Sequence, residues 1–295
     1  MSAAAAQSPA RLLWAEFAES KLALVGLAVF TACVLAALFA PFITPQDPYN
    51  QAELVMFDAR LAPGTVGSGG YPHVLGTDAQ GRDLYSAIIF GLRTSLGVGV
   101  AAGGIALLLG TTVGLIAAFR GGLVEAGIMR LIDLQLSFPA ILLALVLAAI
   151  MGQGVWQVVA ALVAAQYAYY ARTVHGAALA ERRKDYVEAA LGIPLSSRRV
   201  ILRHLLPNAL PPLIVVATVQ VANAIAIEAT LSFLGVGMPV TQPSLGTLIA
   251  NGYQFMLSGR YWISVYPGLA LLLVILSINL VGDRLRDVLN PRLRR

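Results

Sequence analysis

A run from residue 22 to residue 42 carries no charged side chain, and it constrains the fold more than any other feature of the chain. Crossing the roughly 30 Å of bilayer hydrocarbon takes about 20 predominantly apolar residues in a helix, because backbone N–H and C=O groups cannot be left unpaired in lipid. Residues 95–119, 131–151, 155–170, 209–234 and 263–281 meet or approach the same test. The expected fold is therefore an all-α integral membrane protein of six transmembrane helices. Only 12% of residues are charged, about half the share of a soluble domain, so an aqueous fold would expose apolar surface it could not cover. The first run exceeds a secretory h-region and ends in Leu38-Phe39-Ala40-Pro41, a poor cleavage site, so it is expected to stay as a span.

Helix contacts are also suggested locally. Gly99-xxx-Gly103 and Gly110-xxx-Gly114 place small residues one turn apart, a spacing that lets helix backbones approach. Gly152-Gln153-Gly154 is the only break between the third and fourth spans, which should form a tight hairpin.

Six spans put both termini on one side of the membrane, and the positive-inside rule selects that side. With cytosolic termini, only Arg60, Arg82, Arg93 and Arg260 of the 20 basic residues fall outside. The net charge of +5 thus reports orientation; no basic stripe with aromatic interleaving points to nucleic acid. The chain divides into residues 1–92, holding a cytosolic N-terminus, the first span and an extracytoplasmic loop, and a five-span core over 93–295 with a cytosolic C-terminus.

Three kinds of chemistry find no support. Neither Lys21 nor Lys184 follows a glycine, so no phosphate-cradling GxxxxGK[ST] loop exists. The single cysteine, Cys33, lies in an apolar run, and His73, Asp78 and Asp83 match no metal-ligand spacing, so no metal site is expected. Asp78 and Asp83 read instead as turn and helix-cap residues. His73, His175 and His204 fall in hydrophilic segments without a paired serine, which argues against a membrane protease. No catalytic residue is assigned.

Acids beside spans are the next test. Asp133 and Asp283 lie near Arg130 and Arg284 and read as interfacial ion pairs; Glu228 falls near the outer surface. A stand-alone secondary transporter would need carboxylates near the midplane with partners at equal depth, and the sequence offers none. Gln220, Asn223 and Thr230 form a polar stripe on the fifth span, which either lines a solute path or, slightly favoured, bonds to neighbouring helices.

The cytosolic segment 171–206 is amphipathic. Leu179, Tyr186, Val187, Ala190 and Leu191 recur at helical spacing, Gly192-Ile-Pro194 ends that helix, and Ser196 or Ser197 can cap a second one reaching about Leu206. Arg198 and Arg199 stand in the second helix's first turn, where the macrodipole disfavours cations, so lipid headgroups or an acidic cleft on a partner should face them.

Four stretches, in order, resemble the permeases of the oligopeptide/dipeptide (peptide/nickel) branch of ABC importers, in the subunit with an extended loop after its first span. They are Lys21-Leu-Ala-Leu-Val-Gly-Leu, Leu75-Gly-Thr-Asp through Gly-Arg-Asp83, Glu228-Ala-Thr-Leu-Ser-Phe-Leu-Gly-Val-Gly237, and Gly282-Asp-Arg-Leu-Arg-Asp-Val-Leu-Asn-Pro291. Tyr186-Val-Glu-Ala-Ala190 followed by Arg203-His-Leu-Leu-Pro-Asn208 is similar to the EAA loop by which these permeases dock onto their ATPases. The resemblance implies a type I ABC importer permease with cytosolic coupling helices, in the inner membrane. It further implies a second homologous permease, two ABC ATPase subunits that carry ATP and Mg, an extracytoplasmic binding protein and surrounding lipid, with no cofactor on this chain. Tyr186, Glu188, Ala189, Ala190, Gly192, Pro194, Arg198 and Arg199 are then the ATPase-coupling residues, and Gln220, Asn223 and Thr230 candidates for the translocation path. The family's glycine six residues after the glutamate is replaced here by Pro194, with Gly192 two residues earlier.

Overall fold

Apolar runs of this length become helices because only intrachain hydrogen bonds can satisfy their backbones in lipid, and the computed structural model, which describes residues 9–50, 54–187 and 196–289, is built from them. In chain order these are α1 (Pro9–Ala18), α2 (Lys21–Leu38), the short α3 (Ala40–Ile43), α4 (Leu84–Arg120), α5 (Gly122–Leu136), α6 (Ala140–Met151), α7 (Val155–Arg182), α8 (Ser197–Phe233), α9 (Leu245–Tyr253) and α10 (Trp262–Leu289). Four of them, α2, α4, α8 and α10, are long and apolar enough to cross a membrane; α5 and α6 together would make a fifth span.

The third expected span is not one helix. α5 and α6 meet at 88°, broken at Ser137-Phe138-Pro139. Proline disfavours helical geometry at the residue before it and lacks the N–H that would continue the ladder. The surrounding apolar run hides this signal from a hydropathy reading. α7, the expected fourth span, has the length but not the composition of a lipid-facing helix. It is rich in alanine, and Ala161, Ala165, Ala168 and Ala171 are buried against neighbouring helices.

Close packing on α7 explains the glycines of α4. A Cβ on Gly114 would stand 2.5 Å from the backbone oxygen of Ala171, and one on Gly110 would overlap the backbone at Tyr167. Nearer the start of α4, Gly99 and Gly103 leave room for Ile225 and Val221 of α8. α4 also begins earlier than the expected span and continues through residues 92 and 93; its 37 residues give a rod of about 55 Å.

Residues 44–50 and 54–83 form a small cap over one end of the bundle. An antiparallel pair, β1 (Thr65–Val66) and β2 (Pro72–His73), is closed by a turn at Gly67 and Gly70. Asp83 caps α4, accepting from the Ser86 N–H and Oγ at 2.8 and 2.7 Å, and its other oxygen meets His73 Nδ1 at 2.9 Å. Asp78 accepts from the backbone of Gln80 and Arg82 and pairs with the Arg82 guanidinium at 2.6 Å, both side chains being buried. The turn-and-cap reading of these acids therefore holds.

Candidate functional site

At the end of the bundle away from this cap, α7, α8 and the ends of α5 and α10 enclose a cavity of about 830 Å³. Its walls are mostly aliphatic, from Val215, Val216, Val219 and the paired Pro211 and Pro212, with a few polar groups set among them. Gln220 and Asn223 are two of these. Asn223 Nδ2 donates to Gln220 Oε1 at 2.8 Å, and Gln220 Nε2, buried, has no partner among the described residues. Thr230 is not with them: it lies about 10 Å beyond Asn223 along α8 and bonds to the Ala226 carbonyl at 2.8 Å. The stripe thus bonds along its own helix and not across to another, and only two of its three members face the cavity.

Positive charge gathers at the cavity mouth. Arg172 and Arg286 line it, and Arg172 reaches Asp133 at 2.5 Å. The sequence suggested Arg130 as the partner of Asp133, but α5 packs on α7, which brings Arg172 closer. Arg284 likewise turns to Glu19 of the α1–α2 junction, at 3.4 Å, and not to neighbouring Asp283.

The loop between α7 and α8 lies at this same end. Glu188, Ala189, Ala190, Gly192 and Pro194 fall outside the described residues. Of the amphipathic helix expected over 179–191, the first four residues belong to α7, a turn occupies 183–184, and helix resumes at 185–187. Tyr186 lies in that resumed helix, and its hydroxyl donates to Glu181. Burial would raise the Glu181 carboxyl, but hydrogen bonds from Lys184 (Nζ at 2.8 Å) and Tyr186 outweigh it and lower the pKa. The same bond, with desolvation added, pushes the Tyr186 phenol up to about 12.

Arg198 and Arg199 are exposed in the first turn of α8, while Val200 faces the core. Ser196 has extended backbone there but makes no side-chain cap. The second loop helix does not end near Leu206 as expected, since α8 runs without interruption from Ser197 into the bundle. A π turn at Ile201–Leu205 takes up the mismatch. The Leu206 N–H bonds to the carbonyl of Ile201, and Pro207 follows without an N–H of its own. Asn208 Nδ2 then donates to the His204 carbonyl at 2.7 Å and to the Tyr186 phenol oxygen at 3.1 Å. Sequence reasoning passed over Asn208, Arg172 and Arg286 as site residues.

At the capped end, Glu228 is fully buried between helices. Ser95 of α4 and Ser232 of α8 each donate to it at 2.8 Å. Beside it, Gly246 of α9 sits against the backbone of Ala229, so α4, α8 and α9 converge on one carboxylate. The Glu228–Gly237 stretch also holds the α6–α7 turn: Gly154 N–H and Gln153 Nε2 donate to the carbonyls of Gly237 and Gly235.

Comparison with known proteins places this arrangement. Residues 110–295 match the family described as binding-protein-dependent transport system inner membrane component, and residues 8–63 match the N-terminal transmembrane domain of oligopeptide transport permease C. The dipeptide transport system permease protein DppC of Escherichia coli is 40% identical over 295 residues, covering 100% of this chain and 97% of its own length. The di/tripeptide transport system permease protein DppC of Pseudomonas aeruginosa is 38% identical over 288 residues, covering 97% and 93%. Among solved structures, a chain of the inward-facing MetNI methionine ABC transporter superposes with a TM-score of 0.56 at 19% identity, over 69% of this chain and 96% of its own, a likeness of fold. The fold is all-helical, and the chain belongs to the binding-protein-dependent inner membrane transport components, in the branch of the oligopeptide and dipeptide permeases.

Proposed function

We propose that this permease subunit carries peptides, as one of two homologous permeases that together form the path of an ATP-driven importer. An extracytoplasmic binding protein delivers the solute, and two ABC ATPase subunits, holding ATP and Mg, supply the work. The observation that carries this reading is the adjacency of the arginine-rich loop and the cavity: the helix that starts in one forms the wall of the other. A push on the loop therefore has a direct route to the solute path.

In this reading the chain crosses the inner membrane six times with both termini in the cytosol. α7 supplies the fourth crossing, since its 28 residues reach about 42 Å and its small side chains face protein. The coupling surface is Tyr186, Glu188, Ala189, Ala190, Gly192, Pro194, Arg198 and Arg199, with the two arginines aimed at acidic groups of an ATPase. Gln220 and Asn223 offer amide groups to a peptide backbone in transit, and Thr230 stands further along the same helix.

The test is reconstitution of the complex in proteoliposomes with its binding protein and a labelled di- or tripeptide. Two ATPases and a second permease should co-purify, and Glu188→Lys should separate ATP hydrolysis from uptake. Peptide uptake by this subunit alone, or full uptake by the Glu188→Lys complex, would refute the proposal.

A further inference from the structure

The first turns of α8 are its weakest backbone. Pro207, Pro211 and Pro212 have no N–H, so the carbonyls of Arg203, Pro207 and Asn208 lose the donors that a regular helix would supply. The π turn Ile201–Leu205 adds a second irregularity immediately before them. Kinks and bends concentrate at such positions, because fewer ladder bonds resist them. Residues 201–212 thus separate a stiff span from the loop that precedes it.

One side-chain chain bypasses the first part of this soft segment, residues 201–207. Glu181 terminates α7, the Tyr186 hydroxyl donates to it, and the same phenol oxygen accepts from Asn208 of α8. Asn208 in turn lines the cavity and holds the His204 carbonyl. Tyr186 lies at the start of the loop and Asn208 in the cavity wall, so a single hydroxyl joins the two. The bond to Glu181 holds that hydroxyl protonated far above neutral pH, leaving its lone pair free to accept.

We infer that Tyr186 and Asn208 are positioning residues that transmit displacement of the loop to the cavity wall, with residues 201–207 flexing between them. This rests on the loop being the ATPase-docking element. Without the Tyr186–Asn208 bond, a push on the loop would be absorbed by bending at the π turn and Pro207, and ATP would be hydrolysed with little movement of the wall.

The experiment measures peptide taken up per ATP hydrolysed in proteoliposomes containing the full complex and its binding protein. Tyr186→Phe removes only the oxygen, and Asn208→Ala only the amide. Each is expected to lower the ratio about fivefold, the effect of one hydrogen bond, and the double variant should be no worse than either single one. A wild-type ratio in the single variants, or losses that multiply in the double, overturns the inference. Should either variant fail to assemble, Tyr186→Cys with Asn208→Cys can be joined by a short thiol-reactive bridge. Recovery of the ratio on bridging supports the joint, and further loss refutes it. Glu188→Lys separates the two readings: uncoupling there with a wild-type ratio in Tyr186→Phe removes the joint alone, whereas full uptake by Glu188→Lys removes the docking loop and the joint with it.

Discussion

Replacing Gly114 by alanine should destabilise the bundle, while the same change at Gly104, ten residues earlier on α4, should stabilise it. At Gly114 the new methyl would stand 2.5 Å from the Ala171 carbonyl oxygen, with the Ala171 Cα and C at 3.1 and 3.2 Å, whereas ordinary contact begins at 3.4 Å. All three atoms are backbone, so no rotamer change can relieve the overlap and α4 must move off α7 by most of an ångström. Overpacking of this kind costs about 1–3 kcal/mol, and the upper figure applies where only backbone can yield. Alanine regains about 1 kcal/mol of helix propensity at either site. The net expectation is about 2 kcal/mol of destabilisation at Gly114 and about 1 kcal/mol of stabilisation at Gly104, where nothing lies within 4 Å of the new atom. Titrating the purified chain in mixed micelles with SDS, and following helicity by circular dichroism, reads the difference directly. Equal unfolding free energies for the two variants would refute the claim that these glycines set the α4–α7 distance.

Three further outcomes follow from other polar groups. Glu228→Leu strands the Ser95 and Ser232 hydroxyls and should lose about 2–4 kcal/mol in the same titration, while Glu228→Gln, which keeps an acceptor, should lose less than half of that. Arg82→Met leaves the buried Asp78 carboxylate unpaired at a cost of about 3–5 kcal/mol, to be seen as faster proteolysis within residues 54–83 from the outer face of oriented vesicles. The Tyr186 phenol, raised to about 12 from an ordinary 10, binds its proton more tightly in the folded protein. Its contribution to stability is therefore complete below pH 10 and lost as pH climbs through 12; ultraviolet difference titration should show the late transition disappear in Tyr186→Phe and move down in Glu181→Gln.

Much of the architecture was legible because a bilayer acts on local composition. A helix facing lipid must be apolar whatever its neighbours are, so α2, α4, α8 and α10 declare themselves residue by residue. Asp83 at the head of α4 was legible for a similar reason, since an N-cap is settled within three residues. α7 was harder to read: a helix surrounded by protein needs small side chains more than apolar ones, and Gln157, Gln166 and its tyrosines dilute the hydropathy signal. The break at Pro139 was present in the sequence as a local rule, but a uniformly apolar stretch outweighed it.

The site divides along the same line. Tyr186, Arg198 and Arg199 stood out through spacing and resemblance, and Gln220 and Asn223 through polarity in an apolar helix. Sequence alone determined that the chain is a polytopic helical membrane protein with a charged loop before its longest polar-striped span, because those properties depend on transfer from water and on periodicity. Tertiary structure decided that Gln220 and Asn223 face a cavity while Thr230 does not, that Asp133 meets Arg172, and that Asn208 touches Tyr186. Each of these depends on how helices distant in the chain lie against one another, and in lipid that is set by backbone close approach at glycines and alanines, not by any hydrophobic difference a linear reading can detect.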